Sequence, residues 1–463
     1  MCVIFLPPHP NLIGIHLLRK NLMFQFVTKA GLASYSMTTK VTSLRGRDSL
    51  SQKNNIGYEM KQSKLLTLLL IYAPVATGMT FDAAINRIKN HESIVSMAFD
   101  AQADLGKSSG VGSLHDPVLR IAGKNFPRDS FQTDATPMTG VEIFLAQKFP
   151  LSKKYRNQEE AMKKSGEAKK WQAVYAEKNL VRIFWRYIVN LKKLSEERQI
   201  IRDNIEWVSR MIEVSGSLYA NGKLSQQGLL DLKIRKSELK AAAISTDFDI
   251  ESTRERLKYL LGQDATDINP GSVPWKYLAF EPSTDHSADP MEKFLIAMVQ
   301  SGQAAVAAAE SGYIPDLTIG VGYTKRANID NNGDFVSLVA EMPLPISGRR
   351  ESDYRTKLSE EKSYQFRLTN YRKKRSSELK ALELKHLSLT SELKLMESEA
   401  LSFARNVRKI TAKSYSLGSS SYMSLLQSEL KLQSLLIKKT ALEAARLLNT
   451  LDYKFYLGVS LHD

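Results

Sequence analysis

The side chains able to do chemistry in this 463-residue chain are few, and their spacing gathers none of them into a reacting set. Beyond the N-terminal stretch the histidines are His91, His115, His286, His386 and His462, widely scattered. His91 adjoins Glu92, but consecutive helical residues do not face one another, so the two make no metal pair. His386 falls in a long charged helix, where a surface position explains it. No HExxH, GxSxG, Walker or GxGxxG pattern occurs. Cys2 is the sole cysteine, which excludes thiol catalysis, disulfides and Cys-ligated metal from the body of the chain. Acids such as Glu378 and Glu383 are interleaved with Lys380 and Lys385, as surface ion pairing on a helix requires. The residues therefore predict no catalysis, no cofactor and no metal site.

What remains is recognition, concentrated in a turn that occurs twice. Leu218-Tyr219-Ala220-Asn221-Gly222-Lys223-Leu224-Ser225 returns as Ser414-Tyr415-Ser416-Leu417-Gly418-Ser419-Ser420-Ser421. Tyr219 and Tyr415, Gly222 and Gly418, Leu229-Leu230 and Leu425-Leu426, and Leu261-Gly262 and Leu457-Gly458 all stand at an offset of 196. Pro150 and Pro345 follow at 195, Asp116 and Asp316 at 200. One structural unit is used twice. Each glycine suits the left-handed position that ends a helix, and Ser225 or Ser421 suits the cap of the next. Lys223, Leu224, Ser419 and Ser420 add small or polar side chains at the far end of a rod, where a partner can reach.

The elements that must position these turns follow in chain order. Met60-Lys61-Gln62-Ser63-Lys64, a short apolar run over 65–73 and the small residues Ala76-Thr77-Gly78 describe a secretory leader. The domains read as 1–59, an upstream extension or mis-assigned start; 60–78, the leader; 79–261, the first repeat; 262–288, a Pro- and Asp-rich linker; 289–458, the second repeat; and 459–463, a tail. Apolar spacing predicts one amphipathic helix over 80–106 and its counterpart over 290–311. The period then changes to two. Leu119 and Ile121 oppose Arg120 and Lys124; Val141, Ile143 and Leu145 oppose Glu142 and Lys148; Val336, Leu338 and Ala340 oppose Ser337 and Glu341. Each run is about as long as a tilted strand crossing hydrocarbon. Four strands cannot close a barrel and lipid tolerates no open edge, so strands that span must be shared between protomers. Arg120, Lys124, Glu142, Lys148 and Glu341 are the candidates for the lumen of such a barrel.

After Pro150-Leu151-Ser152-Lys153-Lys154 and Pro345-Ile346-Ser347-Gly348-Arg349-Arg350 come two stretches almost free of Pro and Gly, 156–218 and 351–417. At 1.5 Å per residue the first is roughly 95 Å of helix. Such lengths predict coiled coils, with return arms over 224–261 and 422–457.

A leader and two halves, each with a helix, a strand pair, a Pro-Leu/Ile-Ser turn with basic residues, a very long helix, a Tyr-x-x-Gly tip followed by Leu-Leu, and a closing Leu-Gly: this order resembles the TolC-type outer membrane efflux protein family over about 80–458. Asp116-Pro117-Val118-Leu119-Arg120-Ile121 and Tyr313-Ile314-Pro315-Asp316-Leu317 look like the strand openings of its heavy-metal CzcC/CusC-like branch. The resemblance implies a mainly α fold with a membrane β-barrel: a homotrimer in the outer membrane of a Gram-negative bacterium, four strands per protomer completing a shared twelve-stranded barrel within the lipid. Long α-helical hairpins would form a periplasmic tunnel that meets a periplasmic adaptor (membrane fusion protein) and an inner-membrane pump. Carried over by position, Tyr219, Gly222, Leu224 and Ser225 with Tyr415, Gly418, Ser420 and Ser421 form the docking and gating end. The chain departs from the family where an acidic ring is placed: the equivalent positions are Ser424 and Gln427, with Asp231 and Glu429 the nearest acids.

The function expected is a passive efflux duct for metal ions or small toxic compounds. Alternatives are a type I protein-secretion duct of the same fold and a non-membrane periplasmic coiled-coil scaffold. The formal charge of +16 falls to about +9 without residues 1–78, and that excess is dispersed along helices among acids. No compact basic and aromatic module marks a nucleic-acid partner.

Overall fold

The computed structural model describes residues 79–262, 268, 270–282 and 289–462. The extension, the leader, His286 and parts of the linker lie outside these. Among the described residues the order is α1 (Phe81–Lys89), α2 (Glu92–Gly112), β1 (Val118–Lys124), β2 (Gly140–Phe149), α3 (Lys154–Ala220), α4 (Gln226–Leu261), α5 (Pro290–Ser311), β3 (Leu317–Arg326), β4 (Phe335–Glu341), α6 (Arg349–Leu395), α7 (Leu401–Ser416) and α8 (Tyr422–Leu457).

The helix expected over 80–106 is two helices. Its apolar period runs on, but His91 takes an extended conformation and its side chain accepts from the Ser93 N–H, starting a new helix inside the periodic run. The break frees α1 to insert Phe81, Ala84, Ile85 and Ile88 among Val181, Phe184, Trp185 and Ile188 of α3 and Leu257, Leu260 and Leu261 of α4. Trp185 is fully buried there and donates its indole N–H to the Leu461 carbonyl at 3.1 Å. In the second half α5 starts directly from Asp289, whose carboxylate accepts from Met291 N–H at 3.0 Å.

α3 runs unbroken for 67 residues, about 100 Å. Its counterpart does not, and the uninterrupted helix expected over 351–417 is corrected. A single π turn, Met396–Ala400, separates α6 from α7. No Pro or Gly causes it. Met396 and Leu401 are both buried with Leu432 of α8, and the wide turn brings residues five apart toward one face. The return arms α4 and α8 are 36 residues each.

Aromatic contacts from the linker reach both halves. Trp275 meets Trp185 edge-on, and Phe280 stacks on His386 at 3.8 Å between centroids. The surface position read for His386 is therefore corrected: it is half-buried under the linker, and burial lowers its pKa. At the start of the second half the buried Arg375 guanidinium pairs with Glu292 at 2.9 Å and Asp289 at 3.3 Å, and donates to the Tyr456 carbonyl at 2.7 Å.

Candidate functional site: the strand sheet and the helical tips

The two strand pairs join in one antiparallel sheet of order β1-β2-β3-β4. Its register aligns Leu119, Leu145, Val321 and Leu338 in one row and Ile121, Ile143, Tyr323 and Val336 in the next. These eight side chains share a face and are 49% to 77% exposed. An apolar surface this continuous is a binding or membrane surface rather than ordinary protein exterior. The outer edges of β1 and β4 have no partner strand among the described residues.

All five lumen candidates stand on the opposite face. Glu142 is 3% exposed because Lys124 at 2.5 Å and Arg120 at 3.4 Å close over it. Lys148 reaches Asp316 at 3.1 Å, and Glu341 lies beside Thr318 at the end of the sheet. The ring of Phe144 lies in the space left by Gly320 and Gly322, where an added Cβ would overlap it. Where the sheet meets the helices, the buried Asp316 accepts from Tyr155 Oη–H at 3.2 Å and from Lys154 at 3.3 Å. Burial and the Asp316 charge push the Tyr155 phenol up to about 12.

At the other end of the rods the two tips share one backbone design. Gly222 and Gly418 have φ of +69° and +74°. Lys223 N–H reaches back to Leu218 O and Gly222 N–H to Tyr219 O, both at 2.9 Å; Ser419 to Ser414 and Gly418 to Tyr415 repeat this at 2.9 Å. These are Schellman closures, which satisfy the last carbonyls of α3 and α7. The next helices begin on Ser225, accepting from Gly228 N–H, and Ser421, accepting from Ser424 N–H.

The side chains of the tips differ. Tyr219 is 45% exposed, whereas Tyr415 is 1% exposed and shares a 2.7 Å hydrogen bond with the buried Ser215 hydroxyl. Leu224 packs with Tyr422 around Tyr415 and Leu425. Gly222, Ser225, Gly418 and Ser421 are exposed and Ser420 half-buried. Of the residues considered for an aperture, Ser424 and Gln427 are exposed, while Asp231 is hydrogen-bonded by Tyr422.

By sequence, no family model and no curated protein matches this chain. By structure it is similar to the outer membrane protein VceC of Vibrio cholerae, with a TM-score of 0.70 and 15% identity over 82% of this chain and 96% of that one. It is similar to CusC, described as a transmembrane channel, at 0.68 and 13% over 82% and 92%. The Campylobacter jejuni outer membrane channel CmeC follows at 0.66 and 13%, over 81% and 85%. The chain has the fold of these outer membrane channels.

Within that channel fold, sequence reasoning missed a polar cluster above the tips. Glu429 of α8 is fully buried; Arg408 of α7 reaches its Oε2 at 3.3 Å, and Oε1 has no hydrogen-bond partner among the described residues. Burial raises the Glu429 pKa. Arg408 lies over the Trp207 ring at 5.6 Å, and Arg235 of α4 donates to Gln433. The sequence places Glu429 near the second tip, but no spacing ties it to Arg408, Trp207 and Arg235, because the four come from four helices. Among the described residues no helix is long and apolar enough to cross a membrane, and no cluster of three metal-ligating side chains occurs.

Proposed function

We propose that three copies of this chain form the outer-membrane exit duct of an efflux assembly, a passive channel for metal ions or other small toxic solutes. The observation that carries this reading is the sheet, with one apolar face exposed and both edges unpaired among the described residues. Lipid would cover the face, and only copies of the same strands would satisfy both edges; four strands from each of three protomers give a twelve-stranded closure. Arg120, Lys124, Glu142, Lys148 and Glu341 would then line the lumen.

The helices carry the same demand. α4 exposes Ile234, Ile244, Phe248 and Tyr259, and α6 and α7 expose Leu384, Leu395, Phe403, Val407 and Ile410. A closed ring of protomers covers both stripes at once. The tips, Tyr219, Gly222, Leu224 and Ser225 with Tyr415, Gly418, Ser420 and Ser421, are the docking and gating end. There a periplasmic adaptor joins the duct to an inner-membrane pump. Asp231, Ser424 and Gln427 sit beside that aperture.

The test is to express the chain from Met1 in a Gram-negative host, separate inner from outer membranes, and measure the mature N-terminus and the mass of the detergent-extracted oligomer. An outer-membrane trimer beginning near Met79 is expected. A soluble or inner-membrane product retaining residues 1–78 refutes the reading.

A further inference from the structure

Because the strands are antiparallel, one rim of the sheet gathers the starts of β1 and β3 and the ends of β2 and β4, and this rim faces the helices. Large apolar side chains continue past the strands into it. Leu114 is 53% exposed, Leu151 52%, Ile314 51%, Leu344 70% and Ile346 92%. Directly after two of these turns the chain turns basic, at Lys153-Lys154 and Arg349-Arg350, and Arg349 follows Lys153 by the 196 residues of the whole repeat.

These cations are not equivalent. Lys154 is engaged with Asp316, and Arg350 is half-buried with a guanidinium nitrogen beside Gly312. Lys153 and Arg349 are exposed at the helix starts, and no carboxylate among the described residues lies within ion-pair distance of either. The rim's acids stay apart from them: Glu351 is held by Arg355 and Tyr313, and Asp116, Glu341 and Asp353 are in no ion pair among the described residues. Both cations also stand at helix N-termini, where the macrodipole favours a negative group rather than a positive one. A free cation there is unhelpful to the helix, and an external anion would relieve it.

We propose that the helix-side rim is a docking surface for anionic phospholipid, with Lys153 and Arg349 holding headgroup phosphates while Leu151, Leu344 and Ile346 enter the acyl boundary. This rests on the duct reading, which puts the apolar face of the sheet in lipid. Apolar side chains at the boundary with basic heads just beyond them are the arrangement that binds an anionic leaflet. Each cation near such a surface is worth about a fivefold preference, so the pair gives about 25-fold per protomer.

The purified mature protein is mixed with vesicles of phosphatidylcholine alone and of phosphatidylcholine with phosphatidylglycerol; after flotation, the lipid retained on detergent extraction is measured by native mass spectrometry. The expected result is retained phosphatidylglycerol on the wild type and loss of that preference in K153E/R349E. The milder K153Q/R349Q serves if the reversal fails to assemble. K373E/K380E, on the exposed basic stretch of α6 away from the rim, makes the same charge change and keeps the preference. An undiminished preference in the rim variants, an equal loss in the α6 variant, or displacement of the lipid by inorganic phosphate overturns the proposal. A wild-type chain that floats with neither vesicle overturns the duct reading itself.

Discussion

The hydrogen bond between Tyr415 and Ser215 ties the second hairpin to the first just above the tips, and its strength can be worked from the burial of both partners. Tyr415 is 1% exposed and Ser215 fully buried, with 2.7 Å between the hydroxyls. Ser215→Ala leaves a phenol with no partner in an apolar cluster of Trp207, Val208, Leu239 and Leu425. A buried polar group left unmatched costs about 1–3 kcal/mol. Tyr415→Phe leaves the serine hydroxyl instead, which can turn to the carbonyl one helical turn back, so it falls toward the lower end of that range. The double variant removes both polar atoms and is expected to be milder than the sum of the two by about 1 kcal/mol. Tyr415→Ala also opens a cavity and costs about 3–5 kcal/mol. Because the membrane trimer proposed above would not unfold in two states, the assay is amide hydrogen exchange of 405–430 in the native protein. A local loss of 1–2 kcal/mol increases exchange there by roughly 5- to 30-fold. Single variants whose effects simply add in the double variant would show that the hydroxyls are not coupled, and would refute the reasoning.

Other perturbations test different layers of the fold. Because burial raises the Glu429 pKa, the folded state holds that proton more tightly than the unfolded chain, so its stabilising contribution is complete below the ordinary carboxylate range and is lost as pH rises through the raised folded-state value. Exchange protection of α8 should fall over that window, and Glu429→Gln should flatten the dependence; an unchanged pH profile in the variant would exclude Glu429 as its source. On the sheet, Leu338→Arg introduces a charge on the apolar face at a residue 77% exposed. It should cost about 2–4 kcal/mol in lipid and reduce the yield of heat-resistant oligomer, whereas Ser337→Arg on the other face should assemble. Gly320→Leu collides with the Phe144 ring and should impair assembly, with Phe144→Ala restoring it by gel mobility. Arg375→Met leaves the buried Asp289 without its guanidinium, although the Tyr371 hydroxyl still donates to it at 2.6 Å. A loss of about 3–5 kcal/mol is expected, read as earlier thermal release of the second half in limited proteolysis.

Much of the architecture was legible because it is periodic. The alternation of Leu119, Ile121, Val141, Ile143 and Leu145 with Arg120, Lys124, Glu142 and Lys148 identifies strands with one apolar face, since side chains on a strand alternate by geometry. Scarcity of Pro and Gly over 156–218 indicates continuous helix, and Gly222 and Gly418 mark the ends of the two rods because a left-handed residue is wanted there. Where a cap lies inside a periodic run, as at His91, the period hides the break.

The sequence alone determined the repeated unit, the strand faces, the long rods and the position of both tips, all of which depend on residues near one another in the chain. Only the tertiary structure decided that β2 pairs with β3 across the two halves, that a π turn interrupts the second rod, and that Tyr415 is buried while Tyr219 stays open. It alone gathered Glu429, Arg408, Arg235 and Trp207, and it alone left Lys153 and Arg349 without an ion-pair partner among the described residues. These depend on which distant surfaces meet, and packing between elements far apart in sequence leaves no period to read.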